Sequence, residues 1–345
     1  MSAHKARYPS ALASFREAHE RLPLSAWGCD QRIRAALRLT CRMEMACTDF
    51  NADPWEPLVE DLRLLAEEAS AVGRFDNFTD GCIYEAILPE DREHEVSMLF
   101  AEAWTTYSSS TYDHSMELIR KRFDANRMDA AFFKGKSAFD GGCGTGRLSL
   151  VMAERGARVK AWDQSAACLK FAQTQAQRHK LAVDFTEHTV TQLEGIPDNS
   201  IDVVVSNGVL HHTVDCLGGV KEHFRATKKG GVFWLYLYGK GGFYWVIYDV
   251  LKSLLAPLGP VVVKETLTRL RIREGLIYTL LDNCMAPIRT YHSVEEVRSA
   301  LGNGPLKIVL HKGSSPIDDT QMLLDTRYGR DLLGPEGEVR INILK

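Results

Sequence analysis

From residue 136 onward the hydrophobic and polar positions alternate in blocks. Short apolar runs end in glycine or a polar turn, and between them lie stretches with an apolar residue every three or four positions. The runs at 137–139, 158–162, 183–188, 201–206 and 232–238 have the length and apolar content of buried strands. The spacing predicts helices over 147–155 and 166–180. Strand–helix alternation of this kind implies right-handed crossovers and a mostly parallel sheet covered on both faces. Two further runs, 306–311 and 339–344, are joined by a polar stretch and are expected to close the sheet as an antiparallel pair. The expected fold class is therefore α/β: a doubly wound, mostly parallel seven-stranded sheet.

The first third has a different pattern. Ile33, Leu37 and Cys41 fall on one helical stripe within 31–47. Asp53-Pro54-Trp55-Glu56 has the form of a helix start, with a capping Asp, an early Pro and Glu three residues after the cap. Leu58, Leu62, Leu65, Ala69 and Val72 follow at helical spacing, with Gly73 as the stop. Segments 93–103 and 115–123 are further helix candidates. This reads as an N-terminal helical domain, 1–125, followed by an α/β domain, 126–345. A long insertion after the fifth strand, 239–304, starts at the flexible Gly239-Lys240-Gly241-Gly242. It continues with Tyr244, Ile247, Tyr248, Leu251 and Leu255 on one helical face.

Composition narrows the function classes. In 345 residues, Lys plus Arg is 42 against 45 Asp plus Glu, a net charge of −3, which disfavours a general nucleic-acid binder. The eight cysteines form no C-x-x-C pair, so reduced thiols and no metal site are expected, as in a cytoplasmic protein. The N-terminal residues lack an apolar signal core, and the most apolar stretch, 243–263, is interrupted by Asp249, Lys252, Pro257 and Pro260. No membrane span is expected, and a homodimer is left open.

The chemistry-bearing motif is Asp140-Gly141-Gly142-Cys143-Gly144-Thr145-Gly146-Arg147, where a strand ends, the chain bends on glycines and a helix begins. Glycines there let a ligand approach the backbone, and the helix N-terminus offers unpaired N–H groups. In open α/β sheets the ligand crevice lies at the carboxyl ends of the strands. Asp163 ends the second strand, where a carboxylate accepts the two hydroxyls of a ribose. The glycine spacing is G-x-G-x-G, not the G-x-G-x-x-G of dinucleotide folds, because Arg147 stands where the last glycine would be.

This loop resembles motif I of the class I S-adenosylmethionine-dependent methyltransferases. The resemblance runs in order through Gly195-Ile196-Pro197-Asp198-Asn199-Ser200-Ile201-Asp202, Ser206-Asn207-Gly208-Val209-Leu210-His211-His212 and Lys229-Gly230-Gly231, and covers roughly residues 130–240. It implies that Asp140, Gly142, Gly144 and Gly146 surround the methionine end of S-adenosylmethionine, that Asp163 holds the ribose, and that Gln164 lies beside the adenine. Asn207 then lies near the amino-acid moiety. Thr189 stands where the family often has an Asp, so that Thr189 and Val190 are left to contact adenine through their backbone.

The resemblance also implies His211 as a general base for a hydroxyl acceptor, as in some small-molecule O-methyltransferases. The acceptor side is expected to include Tyr112, Tyr238 and Tyr244; Tyr107 and Tyr236 lie nearby in sequence. The insertion is expected to form an acceptor lid. The leading expectation is methyl transfer to an O, N or S atom of a small organic acceptor. A protein or RNA methyltransferase docked by the N-terminal domain, a non-catalytic cofactor-binding partner protein and a nicotinamide-dependent oxidoreductase are the alternatives.

Overall fold

The computed structural model describes residues 12–22, 24, 27–71, 96, 98–101, 105, 108–302, 306–313, 315, 317–334 and 337–345, with side chains omitted at 66–71. Seven strands form one mixed sheet: β1 (Ser137–Gly141), β2 (Arg158–Asp163), β3 (Val183–Glu187), β4 (Ile201–Asn207), β5 (Thr227–Leu237), β6 (Lys307–Leu310) and β7 (Val339–Leu344). Their spatial order is β3-β2-β1-β4-β5-β7-β6. The first five run parallel, and β7 pairs antiparallel with both β5 and β6. The strand order reverses between β1 and β4, which opens the crevice in which such sheets bind ligands.

Two apolar layers cover the sheet. On one face Phe139, Val204, Phe233, Leu235, Ile341 and Ile343 pack with Val220 of the helix Cys216–Ala226 and Val297 of the helix Val294–Leu301. On the other, Ala138, Val159, Val203, Val205 and Trp234 pack under Tyr112, Met116, Ile119 and Phe123 of the helix Ser109–Ala125 and Leu150 to Met152 of the helix Arg147–Glu154. Alternation along β4 and β5 divides the side chains between the layers, as a strand period of two requires.

The chain divides into two compact units. The sheet unit comprises 88–240, 286–323 and 336–345. The helical unit comprises 1–87, 241–285 and 324–335. Within the helical unit, Phe243 is clasped edge-on by Phe15 and Trp55, with ring centroids 4.8 and 4.0 Å away. Arg32 donates to the Ser253 carbonyl at 3.0 Å, tying the helix Cys29–Ala46 to the helix Phe243–Leu255. The buried Asp61 accepts from both Arg38 and Arg42.

This organisation departs from the two expected domains. The helix Ser109–Ala125 packs in the core of the sheet unit although it precedes residue 126. The segment 239–304 is helical, but its first part, 241–285, clusters with the N-terminal helices, while the helix Val294–Leu301 belongs to the sheet unit. β5 starts at Thr227, five residues earlier than expected, and carries a register shift against β4. Of the segment 93–103 only 96 and 98–101 are described, and Val72, Gly73 and Tyr107 lie outside the described residues. Among the described residues no single helix is long and apolar enough to cross a membrane. The apolar pair 243–258 and 260–269 bends by 99° where Gly259 leads into Pro260.

Candidate functional site

The glycine loop sits where the sheet order reverses. Gly142, Gly144 and Gly146 have φ of +80°, +52° and +80°, a region that L side chains rarely adopt. Their surroundings differ. A Cβ on Gly142 would stand 2.3 Å from Val209 Cγ1, and one on Gly146 would stand 2.9 Å from Ala172 Cβ. A Cβ on Gly144 would meet nothing within 4 Å. Gly142 and Gly146 are thus required by packing, while Gly144 keeps an open space over the loop. The Thr145 hydroxyl is buried beside it with no hydrogen-bond partner.

Two carboxylates frame this loop. Asp163 accepts the Gly144 N–H through Oδ2 at 2.8 Å and the Ser165 N–H through Oδ1 at 2.9 Å. Burial raises the Asp163 carboxyl above its usual range, and the N–H groups of Ser165, Gly144 and Gln164 pull the other way. Asp140 is buried and accepts the Ser149 hydroxyl at 2.6 Å. Burial pushes it up to about 7, with the Ser149 bond opposing and Asp163 adding to the rise.

Gln164 is exposed next to Asp163. Thr189 turns its hydroxyl onto Thr191, whose N–H donates to it at 3.3 Å. The Val190 side chain is buried in the core, so only its backbone is left for a ligand. Asn207 ends β4, and its Oδ1 accepts from Trp234 Nε1 at 3.1 Å. The indole therefore fixes the amide and leaves the NH2 end to the other side.

His211 lies in a short 3₁₀ turn, Leu210–His212, fully buried. Its ring stacks on Tyr238, centroids 3.6 Å apart, and its Nδ1 accepts the Tyr238 backbone N–H at 3.2 Å. The proton of the neutral ring is thereby assigned to Nε2, which is buried with no hydrogen-bond partner. Burial, with the charges of His212, His292, Arg340 and Arg289, drives its pKa well below the usual imidazole value. The nitrogen lone pair that a base needs is already engaged, so the geometry departs from the expected role: His211 braces the end of β5.

Each of the three expected acceptor tyrosines is engaged by neighbouring groups of its own unit. Tyr112 is fully buried and donates its hydroxyl to the Thr145 carbonyl at 2.8 Å, which makes it a strut under the glycine loop. Tyr238 is buried in the ring stack of His211 and His212. Tyr244 belongs to the helical unit, in a ring cluster with Trp245 and Tyr248. Sequence reasoning missed Ser149, Trp234 and Arg340. Ser149 sits nine residues past Asp140 on the helix that the loop opens, a spacing that could have flagged it. Trp234 and Arg340 reach the region only through strand pairing.

Residues 139–235 match the family model described as a methyltransferase domain. A ubiquinone biosynthesis O-methyltransferase of Idiomarina loihiensis is 36% identical over 118 residues, which cover 34% of this chain and 48% of that protein. The protein of the same name from Klebsiella pneumoniae is 30% identical over 147 residues, covering 43% of this chain and 60% of that one. The chain thus spans only about half the length of the curated relatives it matches. Among solved structures, magnesium protoporphyrin IX methyltransferase of Synechocystis with bound S-adenosylmethionine aligns over 76% of this chain and 100% of that one, at 17% identity and a TM-score of 0.44.

Proposed function

We propose that this chain, built around a class I S-adenosylmethionine-dependent methyltransferase domain, moves a methyl group from S-adenosylmethionine to a hydroxyl oxygen of a small organic acceptor. One observation carries the reading: an open space above Gly144, with the carboxylate of Asp163 bonded to the same residue, inside a segment that matches a methyltransferase domain. The cradle suits a nucleoside with a polar tail. The Asp163 carboxylate is the acceptor that would face the ribose hydroxyls, and the buried Thr145 hydroxyl is unpartnered. The O-methyltransferase names of the relatives support oxygen as the accepting atom.

When bound, the cofactor supplies a methyl group activated on a sulfonium. Asp163 would hold the ribose, with Gln164 and the backbone of Thr189 and Val190 toward the adenine. Asp140, Gly142, Gly144 and Gly146 would surround the methionine end, with Asn207 across from them. An ionised Asp140 would favour a cationic ammonium there. Transfer at carbon needs the acceptor oxygen in line with the breaking bond, so positioning carries most of the work. His211 contributes by holding β5 and the following turn; its Nδ1 is engaged, so the proton of the acceptor hydroxyl leaves to solvent as its oxygen takes the methyl group.

The test is incubation of the protein with S-adenosylmethionine and pooled small phenols and metabolite extracts, read by mass spectrometry. The expected result is gain of one methyl group on a hydroxyl-bearing compound with matching release of S-adenosylhomocysteine. Cofactor binding without consumption in any pool would favour a non-catalytic binding protein.

A further inference from the structure

Arg340 places a charge where a charge needs a partner. It lies on β7 directly opposite Tyr236 of β5, and Tyr236 lies opposite Asn207 of β4. Residues on one rung of a sheet share a face, and neighbouring strands lie about 4.8 Å apart, so Arg340 stands roughly 10 Å across from Asn207. Its side chain is only 10% exposed. The guanidinium lies over the Tyr236 ring, 3.6 Å from its centroid.

A guanidinium carries five N–H donors. Arg340 makes no side-chain hydrogen bond among the described residues, and its Nε is buried with no partner. Its nearest carboxylate oxygen, Asp318 Oδ1, is 3.7 Å from NH2, an ion pair without a hydrogen bond. That same oxygen takes Arg122 NH2 at 2.8 Å. The other carboxylate facing this cluster, the buried Glu338, accepts the Tyr236 hydroxyl at 3.2 Å. Arg155 is equally buried and shows the usual outcome: it bonds the Met128 and Arg120 carbonyls and pairs with Asp124. A cation taken out of water is stable only when paired and hydrogen-bonded.

We infer that Arg340 is a recognition residue for a carboxylate on the acceptor, gripped by the planar guanidinium on the sheet rung that begins at Asn207. This names an acid as the acceptor class and rests on the methyltransferase reading above. A carboxylate suits the site because the guanidinium fork matches its two oxygens. Arg289 adds positive charge near the same end of the sheet, as its effect on His211 indicates.

Calorimetry on the full chain tests this with benzoate and benzamide as probes, in the presence of saturating S-adenosylhomocysteine. Benzoate is expected to bind at least tenfold more tightly than benzamide. Arg340→Met is expected to erase that preference while leaving S-adenosylhomocysteine affinity and the melting temperature unchanged. Arg340→Lys, which keeps the charge but loses the fork, is expected to lower the preference several-fold, and it decides the matter should the Met variant not fold. Equal binding of the two probes, no binding of benzoate, or a preference that survives both substitutions overturns the inference. Failure of S-adenosylhomocysteine to bind would instead strike the methyltransferase reading, and the probe comparison on the unliganded protein would still decide Arg340.

Discussion

His211 and Asp140 show how one contact changes a residue's chemistry. In sequence His211 has the look of a base beside the crevice, yet the Tyr238 N–H occupies its Nδ1 lone pair. His211→Asn keeps an acceptor near the same place, because Asn Oδ1 stands close to where Nδ1 was. Turnover is expected to fall by less than about tenfold, whereas loss of a general base typically costs a hundredfold or more. Steady-state kcat of the two proteins separates the accounts. Asp140 has its carboxyl raised from 3.8 to about 7. The native state therefore binds a proton that the unfolded chain releases between about pH 4 and pH 7. That contribution to stability is complete at low pH and is lost as pH rises through the folded value. The melting temperature of the unliganded protein is expected to fall from pH 5 to pH 8, and Asp140→Asn is expected to flatten that fall. An equal slope in both proteins would remove Asp140 from the account.

At the scale of elements, the central strands β1 and β4 and the second half of β5 were legible because they are buried on both faces and read as apolar runs bounded by turns. β1 to β5 appear where the runs predict them, and β6 and β7 pair antiparallel as expected. The start of β5 was hidden because Lys228, Lys229 and Gly230 are exposed and do not look like strand residues. The glycine loop and Asp163 were legible for a similar reason: their chemistry is local, fixed by a strand–turn–helix sequence. Trp234, Arg340 and the strut role of Tyr112 were not, since strand register and helix packing bring them to the site from distant parts of the chain. The helix Ser109–Ala125 supports the loop through the Tyr112 hydroxyl on Thr145. Tyr112→Phe leaves a buried carbonyl without its partner, a loss of about 1–3 kcal/mol. Cofactor affinity is expected to weaken about tenfold, with the substrate-level kcat at saturation little changed. Unaltered affinity by titration would mean that the strut does not hold the loop.

For the whole molecule, the local alternation of strands and helices gave the α/β class but not the way the chain is shared between units. The helical unit draws on three separate stretches, 1–87, 241–285 and 324–335. Apolar faces such as that of Phe243–Leu255 announce that they are buried without naming what buries them. A contiguous boundary at residue 125 therefore follows sequence order, while the packing follows which faces match. The account as a whole depends on the open space above Gly144, beside Asp163, taking a sulfonium nucleoside. Calorimetric titration of the full chain with S-adenosylmethionine, with NADH and an Asp163→Ala variant alongside, tests this most directly. Saturable binding of S-adenosylmethionine, no heat from NADH, and at least tenfold weaker binding by Asp163→Ala are predicted. Absence of S-adenosylmethionine binding, binding of NADH in its place, or an Asp163→Ala variant that binds as well as the original would contradict it.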